Sequence, residues 1–212
     1  LLGDSIYHRS VACRGGVRLG LRSNVMNEAE ADTGVMPVEI PGEVSRFLKP
    51  TPLCQSDHPH IVECASRITG EDRGWRAVKR IVHWTYANMR QASGAQSQAS
   101  ALEALEQQRG DCTEFAALTV ALCRAVGVPA RYAFGLEYLS IGDRAVFGYH
   151  AWAEVWVGRW IAIDATIPEA GTSARYICFG YNEPGDDCGS EWILDALGRM
   201  DVRVLGYTLR DT

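Results

Sequence analysis

The chain of 212 residues predicts an α+β protein, with helices in its first part packed on an antiparallel β-sheet formed by its second. Three observations carry that expectation. Apolar residues recur at helical spacing over 61–68 and 75–89, two helix-start boxes follow at residues 100–103 and 111–114, and beyond Pro129 the pattern turns to runs rich in aromatic and β-branched residues.

Residues 1–52 alternate short apolar stretches with Gly15, Gly16, Gly34, Pro37, Pro41 and Gly42. They read as an extended or β-strand segment, or the end of a preceding domain, that leans on the main domain. Pro50, Pro52 and Pro59 bracket a linker, and the compact domain is expected over 53–212. Ile61, Cys64, Ala65 and Ile68 share one helix face before Gly70 stops the run. Trp75, Val78, Ile81, Val82, Thr85 and Met89 describe a second amphipathic helix, and the Ala-, Ser- and Gln-rich stretch 91–99 a loop. Ser100 and Glu103 form a capping box for a short helix to Gln108, which Gly110 breaks. Asp111 and Glu114 repeat the box, so a further helix opens at Cys112, and Gly127 with Pro129 ends it. Strands follow over 132–139, 146–157 and 160–165, close enough in sequence to be antiparallel hairpins. The tail from Tyr176 reads as a Gly- and Asp-rich loop, an apolar turn at 192–197 and a strand at 202–207.

A net charge of -5, with no basic stripe among the scattered Lys and Arg, speaks against a nucleic-acid partner. No apolar run approaches the roughly 20 residues that span a bilayer, so no integral membrane segment is expected. The chain opens Leu1-Leu2-Gly3-Asp4 and reads as a fragment or processed form; a cytoplasmic and a bacterial cell-envelope location both stay open, as does the oligomeric state. The seven cysteines are an odd number, which is no disulfide framework. Cys178 and Cys188 could close a short loop, although free thiols behaving as small hydrophobes are the preferred reading.

Cys112 occupies the first turn of its helix, where unsatisfied N–H groups and the macrodipole favour a thiolate; on position alone a buried packing thiol is the commoner outcome, so a partner is needed. His150 is the histidine of the strand region, and alternation puts it on one face with Trp152, Glu154 and Trp156. Asp164 lies near the end of the following strand, placed to orient an imidazole. Register decides whether the two meet. A two-residue loop at Gly158-Arg159 puts His150 and Asp164 on opposite faces, so an odd loop is predicted, of three residues around 156–158, or else a bulge.

RGDCTEF, VGVPARYAFG and YHAWAEVWVGRWIAIDAT, in that order, resemble the Cys, His and Asp blocks of the transglutaminase-like superfamily over roughly residues 61–166. The resemblance implies a papain/transglutaminase-like core with the nucleophile at a helix N-terminus against an antiparallel sheet. It implies Cys112 as nucleophile, His150 as general base and acid, and Asp164 as the orienting acid. It further implies thiol-dependent acyl transfer on protein or peptide amides without a cofactor, hydrolysis being favoured over glutamine cross-linking, with a non-catalytic binding or assembly module as the alternative of another class. The chain departs from the family pattern where Ala165 follows Asp164 in place of Pro and where Gln91 stands in place of a frequent Tyr. Gln91, Tyr149 and Trp152 are the candidates for oxyanion or substrate contact, beside the backbone N–H of Cys112.

Cys54, His58, His60 and Cys64 offer four potential zinc ligands at a spacing unlike a standard zinc pattern, and a surface loop is preferred. Cys123 is read as packing, His83 as a surface or boundary histidine, Glu114 as a cap and Arg131 as an ion-pair residue, the last two with shaping of the site as the alternative.

Overall fold

The computed structural model describes residues 8–13, 16–21, 39–92, 99–142, 144–168, 170–171, 174–182 and 202–206. Strands β1 (His8–Cys13) and β2 (Gly16–Leu21) form an antiparallel hairpin of their own. A short helix α1 (Gly42–Ser45) runs into a 3-10 turn over Arg46–Leu48. Val44 and Phe47, on the N-terminal side of the expected boundary at residue 53, are buried, and Phe47 meets Trp160 edge-on at 5.2 Å.

Helix α2 (Pro59–Thr69) begins with proline in its first turn, and His58 caps it through Nδ1, which accepts from His60 N–H. It buries Ile61, Cys64 and Ala65 and ends where Gly70 takes a positive φ of 56°. Helix α3 (Gly74–Asn88) buries Trp75, Val78, Ile81 and Val82, the face that the apolar spacing predicts. Helix α4 (Ala101–Gln107) carries the Ser100–Glu103 capping box, both reciprocal bonds being present. It stops one residue before the expected Gln108, which enters the left-handed region at φ 48°. Helix α5 (Cys112–Ala125) carries the second box, and its burial is nearly continuous from Glu114 to Arg124. A helix buried all round is the centre of a domain. It packs on α2, α3 and α4 on one side and on the sheet on the other.

The sheet has the order β7-β6-β5-β8, all neighbours antiparallel, with β5 (Ala130–Ile141), β6 (Arg144–Trp156), β7 (Trp160–Ile163) and β8 (Tyr176–Asn182). Ala130, Ala153, Val155, Ile161 and Ile163 join the helices in the largest buried cluster. The opposite face buries a second group, Ala133, Trp152, Ala162, Tyr176 and Cys178. Strand β8 corrects the expectation of a loop from Tyr176: its aromatic and apolar residues pair with the middle of β5, through a bulge between Phe134 and Gly135. That pairing is non-local and irregular, so it leaves no period in the sequence.

Gln91, the first residue of the expected loop, is not loop. Arg90–Gln91 forms β3, paired in parallel with β4 (Arg109–Gly110). Residues 202–206 form no strand, and the expected turn at 192–197, Tyr207 and Cys188 lie outside the described residues. No helix among the described residues is long and apolar enough to cross a membrane.

Candidate active site

Cys112 is half-buried in the first turn of α5, and the sequence around it is built to start a helix there. Asp111 Oδ1 accepts from the N–H of Thr113 at 2.8 Å and from its hydroxyl at 2.5 Å. Glu114 is 1% exposed and holds two backbone N–H groups, Asp111 at 2.9 Å and Ala99 at 3.0 Å. Burial pushes the Glu114 carboxyl above its ordinary range even though both of these bonds act to lower it. Gly110 gives the carboxylate its room, since a Cβ there would lie 2.3 Å from Glu114 Cβ. The two-residue pair of β3 with β4 then sets Gln91 opposite Gly110, beside the start of α5, with its side chain exposed.

His150 lies on β6 and is 8% exposed. Strand β6 pairs with β7 through Trp156↔Trp160 and Ala153↔Ile163, which leaves a three-residue loop at 157–159, one residue later than the expected position. The odd loop puts Asp164 on the His150 face, and Asp164 Oδ2 sits 2.7 Å from His150 Nε2. With Nε2 engaged by Asp164, Nδ1 is the ring nitrogen left for the Cys112 sulfur, to which the imidazole is also hydrogen-bonded. Burial alone would depress the His150 pKa, but the bonds to Asp164 and Cys112, with their negative charges, push it up to about 10.

Asp164 is 1% exposed and fully satisfied. Its Oδ1 accepts from Thr166 N–H at 2.9 Å and Thr166 hydroxyl at 2.7 Å; its Oδ2 accepts from Tyr176 hydroxyl at 2.7 Å as well as from His150. Four donors fill a carboxylate's lone-pair sites. Burial works to raise the Asp164 pKa, and the bonds from His150 and Thr166 overcome it, holding the group below its usual value. Tyr176 is pushed upward by burial and by the carboxylates around it, so it stays a phenol and a donor.

Tyr176, Glu137 and Arg175 were missed by sequence reasoning. Glu137, on β5, is 7% exposed, with Oε1 3.2 Å from Arg175 Nε and 3.3 Å from the Tyr176 hydroxyl, and Oε2 3.7 Å from His150 Nδ1. The available signal was the run Tyr176-Ile177-Cys178-Phe179, whose composition is that of a strand.

The other candidates separate. Tyr149 is half-buried and packs with Cys112 against Ala116, Tyr132 and Phe134. Trp152, expected as an oxyanion or substrate contact, is 1% exposed and lies near-parallel to the His150 ring at 6.2 Å between ring centroids. Arg131 is bound to Glu154 by bonds of 2.6 and 2.7 Å and lies over the rings of Tyr181 and Trp160, away from Cys112. Cys54 and Cys64 are buried in the helical core while His60 is exposed beside Glu106, so the suspected zinc quartet does not converge.

Among the described residues, Glu137, His150 and Asp164 are the group whose ligand atoms lie close enough, within 4.8 Å, to suggest a cation. The geometry is that of hydrogen bonds. Ligands 2.0–2.1 Å from a tetrahedral ion stand about 3.3 Å apart, whereas His150 and Asp164 are 2.7 Å apart. The two carboxylates approach different ring nitrogens rather than one point.

Residues 63–165 match the family model of the transglutaminase-like superfamily. This part of the chain is a transglutaminase-like domain. A solved structure from Cytophaga hutchinsonii, described as a candidate cysteine protease, is 30% identical with a TM-score of 0.61, over 71% of this chain and 50% of that one. Uncharacterized protein ML0607 of Mycobacterium leprae is 32% identical over 153 residues, 68% of this chain and 54% of its own length. The chain thus spans about half the length of these relatives. The expected α+β class, a helix bearing Cys112 against an antiparallel sheet, is the fold of the transglutaminase-like domain.

Proposed function

We propose that this domain is a thiol-dependent acyl-transfer enzyme acting on protein or peptide amides through a thioester at Cys112. The observation that carries the reading is the continuous chain of hydrogen bonds from the Cys112 sulfur through the His150 ring to Asp164. The likeness to a structure described as a candidate cysteine protease points the same way.

In this reading His150 Nδ1 takes the thiol proton and the Cys112 sulfur attacks the amide carbonyl. The cap's bonds go to the N–H groups of Asp111 and Thr113, so the Cys112 N–H is available to the oxyanion, with the Gln91 amide on β3 as a second donor. As the tetrahedral intermediate collapses, the C–N bond breaks and His150 returns its proton to the departing amine. Water attacks the thioester next, its proton passing to His150, and the free acid and thiol are released. Hydrolysis is favoured over capture by a second amine. Asp164 keeps the ring oriented and balances the imidazolium, with all four of its bonds fixed. Tyr149 is the proposed substrate contact beside the sulfur.

The test is a mass-spectrometric screen of protein substrates incubated with wild type or Cys112→Ala. New termini that depend on Cys112 are expected. Cross-links or glutamine deamidation would redirect the reading to another acyl acceptor, and no Cys112-dependent product in any class would contradict it.

A further inference from the structure

We propose that Glu137 is a second carboxylate partner of His150, a positioning residue that holds the protonated ring from the Nδ1 side while Asp164 holds it from Nε2. This rests on the reading of Cys112, His150 and Asp164 as the active site, and it adds a residue outside the three blocks that carry the family resemblance.

The register shows how a glutamate comes to be there. The residue directly opposite His150 on β5 is Gly135, and the residue directly opposite Glu137 on β6 is Gly148. Two empty positions therefore flank the diagonal between Glu137 and His150, and a diagonal neighbour is within reach of a long side chain. Gly135 has no freedom to fill its place, because a Cβ there would fall 1.9 Å from Ile177 O at the β8 bulge. Glu137 Oε2 consequently lies 3.7 Å from Nδ1, while Oε1 faces Arg175 and Tyr176.

A carboxylate buried to 7% exposure is costly unless charge and donors compensate it. Arg175, half-buried just before β8, supplies the charge. Tyr176 has a single proton, which its shorter contact gives to Asp164 at 2.7 Å; its 3.3 Å contact with Glu137 is to Oε1, the oxygen that also faces Arg175, and Oε2 is the oxygen turned to the ring. The groups facing His150 are then Cys112 from α5, Asp164 after β7, Glu137 from β5, Tyr176 from β8 and Trp152 from its own strand.

The arrangement has a use in the proposed reaction. When Cys112 becomes a thioester its sulfur no longer carries charge, and the imidazolium loses an anionic neighbour at Nδ1. Glu137 is not consumed, so it keeps that nitrogen protonated until the leaving amine takes the proton.

An ordinary structural ion pair between Glu137 and Arg175 is the competing explanation, and signs separate the two. The His150 ring is titrated by NMR in the full chain, its resonance assigned by its loss in His150→Gln. Glu137→Gln should lower the His150 pKa by about one unit, because an opposite charge at this distance favours the protonated form. Arg175→Gln should leave it unchanged or raise it, since a cation is removed and the carboxylate stays. A structural pair would make both variants less stable without opposite shifts. An unmoved His150 titration in folded Glu137→Gln overturns the proposal; if that variant does not fold, Glu137→Asp, whose shorter acid withdraws from Nδ1, must lower the value or the proposal falls. Because the titration needs no turnover, it stays readable even if Cys112 proves unreactive and the enzyme reading fails.

Discussion

Helix α5 holds two cysteines of the same chemistry in opposite surroundings. Cys112 stands in the first turn, half-buried, with a charged capping box before it and His150 against its sulfur. Cys123 stands in the last turn with no exposure, where burial first and the neighbouring Cys54 second push its thiol far up. The comparison teaches that helix position and burial together decide what a thiol does: one end exposes N–H donors to the sulfur, the other surrounds it with hydrocarbon.

The largest effect that sharpens the contrast is on turnover. Cys112→Ala should reduce activity to background, while Cys123→Ala should keep it and instead cost about 1–2 kcal/mol of stability as a small cavity opens. Equal losses of activity in the two variants would remove the distinction. Next is Asp164→Asn, expected to lower kcat by about 10²–10⁴-fold and to lower the melting temperature as well, because the ring loses its anionic partner and an amide nitrogen cannot accept from the donors that the buried carboxylate holds. A kcat within a few-fold of wild type would show that the ring is held without that charge.

How much of this was legible in the sequence follows the range of the interactions. Caps are local, so Ser100 with Glu103 and Asp111 with Glu114 fixed two helix starts within a residue of those observed. Face-sharing across one hairpin is nearly local, and the demand that His150 meet Asp164 was enough to require the odd loop found at 157–159. The contacts of β8 are not local. Tyr176 reaches Glu137 across the sheet, and a bulge breaks the register that alternation would have revealed. The burial of Trp152 was likewise hidden, because it depends on what covers the far face, here Tyr176 and Cys178 from that same strand.

The start of α5 can be broken more gently. Gly110→Ala forces the new Cβ into Glu114, so a loss of about 1–3 kcal/mol is expected in chemical denaturation, with slower alkylation of Cys112 and none of Cys123. A variant as stable as wild type would show that the capping box tolerates a shift of its acid.

The smallest effect is on the pH dependence of stability. His150 has its pKa raised to about 10, so the stability it contributes is fully present below its unfolded value near 6.5 and is lost as pH rises through about 10. Asp164 is held low, so its contribution is present above about pH 4 and is lost as pH falls through its depressed folded value. Melting temperature should therefore be highest between about pH 4 and 6.5 and fall by a few degrees toward pH 10. His150→Gln should flatten the alkaline side alone. A profile as steep in that variant as in wild type would mean that another group carries the alkaline loss.

The central claim is that His150 makes Cys112 a nucleophile, and site-resolved alkylation reads it most directly. Iodoacetamide applied to the folded protein well below pH 8, with each cysteine quantified by mass spectrometry, should label Cys112 far ahead of Cys123 and Cys178, and His150→Ala should remove that lead. Labelling of Cys112 no faster than that of the buried thiols, or a lead that survives in His150→Ala, would contradict it.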